Sequence, residues 1–468
     1  MSESVNTGSS GPTDFSVRGR AAAAVARVAT WASRITGRGS GGMIGGLVAL
    51  KVDPTLMEQL GAGRRSALVT GTNGKSTTTR MLAAALGTAG PVATNANGDN
   101  MDAGIVSALN ADRTSTLAAI EVDELHTPAT AERLRPETIV LLNLSRDQLD
   151  RVGEINSIER RVRAGVVSQP QATIVANCDD VMMTSAAYDN PHVIWVAAGN
   201  TWAGDSVSCP RTGEPIHRTV DANGATHWSA TAPLPDGREF ARPAPDWWVD
   251  DTHLHGPDGF SEPMSLALPG RANRGNAAQA VAAAVSLGAD PRAAVRAVET
   301  VDDVAGRYRT VQVGQHAAHL LLAKNPAGWQ EAMSMVDTGA DGLVIAVNGQ
   351  VADGIDLSWL WDVQFRSFRG LPVFAAGERA ADLSVRLSYA DVEHTLVADP
   401  LTAIRSCPPG RVEVLANYTA FRDLNRAIAD APGANVPGAN VPGAGVPGAG
   451  EGKGTDEGKG TGAVKEKQ

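Results

Sequence analysis

The sequence predicts an α/β protein. Its expected parts are a central phosphate-loop domain with a mainly parallel sheet, a ribbon-like β insertion and a smaller C-terminal α/β domain. Three observations carry this. Short apolar runs of strand length alternate with helical stretches over residues 67–176, the rhythm of a parallel sheet covered by helices. A Gly-Thr-Asn-Gly-Lys-Ser turn links one such run to a helical stretch. The rhythm breaks over residues 200–260, rich in Trp, Pro, Gly and Asp, and a second strand–helix series starts near Arg307.

Composition sets the outer bounds. A length of 468 residues suggests about three domains at ~150 residues each. With 43% apolar and 20% charged residues the chain is neither wholly disordered nor fibrous. Its net charge of −10 argues against a duplex nucleic-acid partner. Cys178, Cys209 and Cys407 lie too far apart in sequence for a disulfide framework, which fits a reducing cytoplasm. No apolar run reaches the ~18 residues of a membrane span. The longest apolar run near the N-terminus, Ala21 to Ala26, is ended by Arg27, so no secretory signal is expected.

The elements follow in order. Residues 1–55 comprise a Ser-, Gly- and Thr-rich start, expected to be disordered, and an Ala-rich helix over 17–38 with Arg18, Arg20, Arg27, Arg34 and Arg38. Two readings of that helix stay open: a packing helix with a solvated basic face, or a peripheral helix touching anionic lipid at the inner face of the membrane. Residues 56–305 form the expected central domain. Its strands are Ala67–Thr70, Thr116–Val122, Thr138–Leu142 and Thr173–Ala176, and its helices include Ser76–Leu86 and Asn276–Leu287. The C-terminal domain, 306–430, has expected strands at Gly342–Val347 and Leu371–Ala376. From 431 to 468 the chain repeats Pro-Gly-Ala motifs and then Gly, Lys and Glu. It has nothing to bury and is expected to stay flexible.

The strongest chemical signal is Thr70-Gly71-Thr72-Asn73-Gly74-Lys75-Ser76-Thr77. Glycines at 71 and 74 let backbone N–H groups approach phosphate oxygens, and the following helix N-terminus adds positive dipole. Lys75 is placed to bridge the β- and γ-phosphates, and Ser76 to bind Mg²⁺. Gly71 through Thr77 are therefore the ATP-binding candidates. The strict G-x-x-x-x-G-K-[ST] pattern needs a glycine where Val69 stands, so the loop is a variant.

This variant resembles the loop of Mur ligases and folylpolyglutamate synthases, which phosphorylate a carboxylate and join it to an amine. Ala118-Ala-Ile-Glu121-Val-Asp123-Glu124 ends a strand where Mur ligases carry a Mg²⁺-binding Glu. Glu121 is the candidate ligand, with Asp123 and Glu124 in reserve, and plain solvated acids are the alternative. Leu142-Asn-Leu-Ser-Arg-Asp147-Gln148 resembles a segment that usually ends Asp-His, so Gln148 departs from the family. Asn177-Cys-Asp-Asp180 and Gly270-Arg-Ala-Asn273-Arg-Gly-Asn276 match further motifs, the second facing adenine in the family. Gly306-Arg307 resembles the opening of the ligases' C-terminal domain. Asn273 and Arg307 thus join the ATP-binding candidates.

The C-terminal half resembles the MurT family, the Mur-ligase-like subunits of lipid II isoglutaminyl synthases. The residues carrying this are Lys324-Asn-Pro-Ala-Gly328, Ala352-Asp-Gly-Ile-Asp356-Leu-Ser-Trp359, Asn97-Gly-Asp-Asn-Met101 and Asn417-Tyr-Thr-Ala420. The resemblance implies ATP- and Mg²⁺-dependent phosphorylation of the D-glutamate α-carboxylate in the lipid II stem peptide. Ammonia would come from a GatD-like glutaminase partner, and Asp356 would orient that partner's catalytic His in trans. A helix-capping turn is the alternative for Asp356. The family's zinc ribbon is degenerate: Cys209-Pro-Arg-Thr212 keeps one Cys, and His217, His227, His253 and His255 fit no zinc spacing, so no zinc is expected. Trp202, Trp228, Trp247 and Trp248 are expected to supply a small core instead. A stand-alone amino-acid ligase and a non-catalytic ATP-binding scaffold are the rival functions. The Asp-Gly-x-Asp-x-Ser-Trp segment argues against the first, while Gln148 and the lost ribbon ligands suggest the second.

Overall fold

The computed structural model describes residues 15–35, 42–95, 98–146, 155–199, 202, 204–221, 226–302 and 308–430. Arg307, Gln148 and the segments 1–14 and 431–468 lie outside the described residues.

The first strand series is β1 (Arg65–Thr70), β2 (Val92–Thr94), β3 (Leu117–Glu121), β4 (Thr138–Leu141), β5 (Thr173–Asn177) and β6 (Val193–Ala197). They pair in parallel in the order β6-β5-β4-β1-β3-β2. Every residue of β3 and β4 is buried, because helices cover both faces of a parallel sheet. The period-2 alternation of a strand divides the core. Leu68, Ile120, Ile139 and Ile174 point to one side, beneath α1 (Val17–Ile35), α2 (Gly42–Val52), α3 (Leu56–Gly61) and the helices 155–167 and 181–187. Ala67, Val69, Ala119, Val140 and Val175 point to the other, beneath α4 (Lys75–Leu86) and the helices Arg271–Ser286 and Pro291–Glu299. The predicted strands are all present, within a residue or two at their ends. The helix expected from Asn276 begins five residues earlier, at Arg271, after Gly270 at φ 96°.

Residues 200–260 divide into two parts. Strands β7 (Ile216–Val220) and β8 (Thr226–Ala230) form an antiparallel hairpin over a small core of Val181, Cys209, Ile216, Trp228, Leu234 and Phe240. Strands β9 (Trp247–Val249), β10 (His253–His255) and β11 (Ser261–Pro263) instead extend the main sheet to nine strands, β9 in parallel with β6 and the last two antiparallel. The four tryptophans therefore do not share one core. Trp228 fills the hairpin core with Phe240, Trp247 belongs to the main sheet, and Trp248 stacks on His255, 41% exposed.

The second sheet has the order β12-β13-β17-β14-β15-β16, from β12 (Tyr308–Val313), β13 (His316–Leu322), β14 (Gly342–Ala346), β15 (Val373–Ala376), β16 (His394–Leu396) and β17 (Gly410–Ala416). All pairs except β12–β13 are parallel. Asparagines close its carboxyl edge: Asn348 N–H donates to Asn417 Oδ1 at 3.0 Å, and Asn417 Nδ2 donates back to the Asn348 carbonyl at 2.7 Å.

Gly46 of α2 crosses a following helix, α5 (Asp102–Ala111), so closely that a Cβ would lie 1.8 Å from the Ala103 carbonyl oxygen. Gly46→Ala should therefore lower stability by about 1–3 kcal/mol, as overpacking against backbone does. The check is the urea midpoint at unchanged m-value. An unmoved midpoint would mean that the two helices part at no cost.

Candidate functional site

Parallel pairing brings the chemistry to one edge. Val69 stands opposite Glu121 and Thr70 opposite Leu141, so the carboxyl ends of β3, β1 and β4 are level. Consecutive strands also leave β1 in opposite directions here, the topological switch point where α/β proteins bind ligands.

The turn after β1 is held from below by one residue. Thr72 N–H donates to the Asn143 carbonyl at 2.9 Å, Asn73 N–H to Asn143 Oδ1 at 3.0 Å, and Asn143 Nδ2 to the Asn73 carbonyl at 3.0 Å. The turn needs φ of 144° at Gly71 and 83° at Gly74, and a Cβ on Gly71 would meet the Asn143 carbonyl at 2.9 Å. Gly74 is the residue before α4, whose first turn holds Lys75, Ser76 and Thr77 with Ser76 and Thr77 buried.

Lys75 Nζ donates to the Gly71 and Thr72 carbonyls and pairs with Glu124 Oε2 at 3.1 Å. Burial alone would depress its pKa, but the Glu124 and Glu121 carboxylates outweigh it and hold the ammonium above its usual range. Burial also pushes the Glu124 carboxyl up, against the pull of Lys75.

The three acidic candidates are now distinct. Glu124 is the counter-ion of Lys75. Asp123 turns one oxygen to Leu125 N–H at 3.0 Å. Glu121, 2% exposed, accepts from Asn100 Nδ2 at 3.3 Å through Oε1, while its buried Oε2 has no hydrogen-bond partner among the described residues. An orphaned carboxylate oxygen in the cleft that also holds Ser76 fits a hard divalent cation. Two protein ligands suffice for Mg²⁺, which keeps several waters and takes phosphate oxygens.

The cleft, of about 310 Å³, has two walls. One is the loop from Thr72 to Thr77 with Asn100, Glu121, Asn273 and Asn276. The other comes from the second sheet: Leu322 to Asn325, Gly328 and Glu331. The walls meet at a reciprocal amide pair, in which Asn73 Nδ2 donates to Asn325 Oδ1 and Asn325 Nδ2 to Asn73 Oδ1, both at 3.2 Å. Asn273 is buried here and donates to the Pro269 carbonyl at 2.6 Å.

Of the residues that sequence reasoning singled out, Thr72 to Thr77, Asn273 and Glu121 line this cleft, while Gly71 lies beneath it as the turn's first glycine. It overlooked Lys324 and Asn325 as site residues. Their signal was a second strand–turn–helix: Asn325 caps the helix Pro326–Ser334 by accepting from Gly328 N–H at 2.8 Å, with Pro326 at its first position. Asp356 lies outside the cleft, on an exposed turn where Oδ1 accepts from Ser358 N–H at 2.8 Å. Only the short 3₁₀ turn Ser358–Trp361 follows it, not a longer helix, and that hydrogen bond lowers its pKa.

The cysteines and histidines serve other ends. All three thiols are buried, and burial pushes Cys178 up to about 12 and Cys407 up to about 11, far from a nucleophile's range. Cys209 sits in the hairpin core, while His227 pairs with Asp221 at 3.1 Å and His255 with Asp250 at 2.7 Å.

Two family models match the chain: the Mur ligase middle domain over residues 69–284 and the MurT ligase C-terminal domain over 322–421, together more than half of its length. The chain carries a Mur ligase middle domain followed by a MurT-type C-terminal domain. The MurT subunit of lipid II isoglutaminyl synthase from Streptococcus pneumoniae is 27% identical over 84% of this chain and 93% of that protein. Its namesake from Staphylococcus aureus (strain COL) is 27% identical over 86% and 97%. Among solved structures, the pseudomurein peptide ligase type C from Methanothermus fervidus has the same fold, with a TM-score of 0.61, 16% identity and 78% of each chain covered. No helix among the described residues is long and apolar enough to cross a membrane.

Within this Mur ligase frame, Asp180 of the Asn-x-Asp-Asp motif supports the loop from a distance. Fully buried, it accepts from Met183 N–H at 2.8 Å and from Leu144 N–H at 3.2 Å, next to Asn143. Burial pushes its pKa up to about 6. A raised carboxyl pKa favours folding in the protonated form, so its contribution is full below about pH 4 and is lost as pH rises through about 6. Comparing unfolding free energies of wild type and Asp180→Asn from pH 4 to 7 should show a difference that changes by up to about 3 kcal/mol. A pH-independent difference would show that Asp180 does not titrate in this window.

Proposed function

We propose that this chain is the ATP-dependent synthetase subunit of a lipid II isoglutaminyl synthase, which amidates the stem-peptide D-glutamate. The observation that carries the proposal is the meeting, at Asn73 and Asn325, of a phosphate loop with a MurT-type C-terminal domain. A carboxylate does not react with ammonia until it is activated. One carboxylate oxygen attacks the γ-phosphorus of ATP, the bond to the β-phosphate oxygen breaks, and ADP leaves an acyl phosphate. Ammonia then adds to the carbonyl carbon, loses a proton and expels phosphate.

Each residue has a task in this reading. The backbone N–H groups of Gly74 and Lys75, which Asn143 does not engage, would cradle the phosphates, and Lys75 would leave Glu124 for the γ-phosphate. Asn273, in the cleft, and Arg307 are both assigned to the nucleotide by resemblance, Asn273 to its adenine. Ser76 and Glu121 would hold Mg²⁺, which when bound neutralises charge on the transferring phosphoryl group. The unpartnered Glu121 oxygen supports a cation at this place, because a buried carboxylate oxygen left without partners is costly.

Ammonia requires a second polypeptide, a GatD-like glutaminase, since this chain's thiols are buried. Asp356 supports that partnership. It is exposed between Ile355, 65% exposed, and Trp361, 53% exposed, on a turn anchored by buried Leu357 and Leu360. An exposed carboxylate among exposed apolar side chains suits a docking face that delivers one charge to a partner's imidazole.

Two variants separate the half-reactions. Lys75→Ala should lower amidation at least about 10²–10³-fold even with free ammonia, because one stabilising charge at the phosphoryl group is lost. Near-normal activity would remove the loop from the reaction. Asp356→Asn should cut glutamine-driven amidation by up to about 10⁴-fold, as in a hydrolase triad, while sparing ammonia-driven amidation and partner co-purification. Equal loss with both nitrogen sources would place Asp356 in the synthetase or in folding.

A further inference from the structure

The N-terminal helices carry a surface that the reaction does not use. The inner face of α1, with Ala22, Ala23 and Ala26, packs on α2 so tightly that a Cβ on Gly45 would meet the Ala26 carbonyl at 2.9 Å. Its outer face is exposed. Val17, Ala21, Ala24, Val28 and Trp31 recur every three or four residues along one stripe, with Val17 76%, Val28 64% and Trp31 65% exposed. On α2, Ile44, Leu47 and Lys51 form a second exposed stripe. Single exposed apolar residues are ordinary, but a row ending in Trp on a small-residue helix is not.

Charge narrows the occupant. The two helices together carry Arg18, Arg20, Arg27, Arg34 and Lys51 and no Asp or Glu, in a chain of net charge −10. Arg20 and Arg27 are exposed beside the apolar stripe, and no ion pair engages them among the described residues. A second copy of this chain would bring like charges together. An anionic lipid surface instead accepts the apolar side chains at the headgroup boundary, where Trp is favoured, and neutralises the arginines.

We propose that the outer face of α1, flanked by the α2 stripe, is a membrane-surface site for anionic phospholipid. Val17, Val28 and Trp31 enter the headgroup region, and Arg20 and Arg27 meet lipid phosphates. The site lies on the same side of the molecule as α5, which follows the cleft residue Asn100 and against which α2 packs. The face alone carries the proposal, and its test uses no lipid II, so it stands or falls independently of the proposed reaction.

The test is flotation of the full chain with two kinds of vesicle: phosphatidylcholine alone, and phosphatidylcholine with an equal part of phosphatidylglycerol. Wild type should float with the anionic vesicles and dissociate as salt is raised. Arg20→Gln with Arg27→Gln should lower partitioning about 30-fold, from about fivefold per basic residue at an anionic surface. Val28→Ser with Trp31→Ser should abolish flotation. Unchanged thermal midpoints would show that both variants fold, so that their loss of flotation supports the site. The proposal is overturned if wild type fails to float with anionic vesicles, or if both folded variants float as well as wild type. It is also overturned if wild type ignores lipid while Val28→Ser with Trp31→Ser converts a dimer to a monomer in sedimentation, which would assign the face to a second copy.

Discussion

The turn at residues 70–75 depends on Asn143. A chain that leaves a strand, reverses through two positive-φ glycines and enters a helix exposes several backbone groups that no regular structure satisfies. Asn143 satisfies three of those contacts, using both its backbone and its side chain, from the end of the neighbouring parallel strand. The register of β1 against β4 is therefore a condition of the loop's shape, since sliding β4 by one residue would move Asn143 out of reach. Support continues outward. Ser145 N–H donates to Thr72 Oγ1 at 3.1 Å, and Asp180 holds Leu144 from behind. The loop is rigid because the strand beside it is.

Electrostatics in the cleft is a competition among few groups. Lys75 is a buried cation facing Glu121, Asp123 and Glu124, and the opposite wall adds Lys324 and Glu331, so two cations face four carboxylates and without a ligand the local charge is negative. An incoming polyphosphate would be repelled by such a site unless cations accompany it. In the proposed reaction the nucleotide would therefore arrive with a divalent ion, and the unpartnered oxygen of Glu121 would receive it. Glu124 keeps Lys75 charged and oriented, and a buried ion pair of this kind contributes little net stability once desolvation is counted. Its value lies in positioning.

The sheet and the loop were legible in the sequence because both follow from local rules. Buried strands of a parallel sheet appear as short apolar runs, and a glycine-lysine turn between strand and helix suits little besides a phosphate group. Local patterns stop short at particular residues. Trp228 and Trp247 are 19 positions apart and look alike in sequence, yet they serve different cores, because β9 pairs with β6 at a separation no local pattern reports. Glu121, Asp123 and Glu124 became distinguishable only when Lys75 and Asn100 had positions. Asn325 could be recognised as a helix cap, but its pairing with Asn73 spans 252 residues of chain.

How the two halves are joined decides what the cleft can do. None of the five buried apolar clusters among the described residues combines side chains from before residue 302 with side chains from after 308. The contacts that cross include the Asn73–Asn325 amide pair, Arg146 to Asp362 at 3.4 Å, and the Met335 side chain against Gly270. Both Arg146 and Asp362 are about one-third exposed, so this pair is worth roughly 1 kcal/mol or less. Arg146 is held more firmly by buried Asp205, which fixes it to the first half. An interface without a shared apolar core resembles a transient one, and motion between its halves is the default expectation. Asp362 ends the 3₁₀ turn that begins two residues after Asp356, so the turn proposed to face a partner is tied by one weak ion pair to the strand end beside the phosphate loop. A contact that weak can break and re-form as the halves move, which a shared hydrophobic core would not allow.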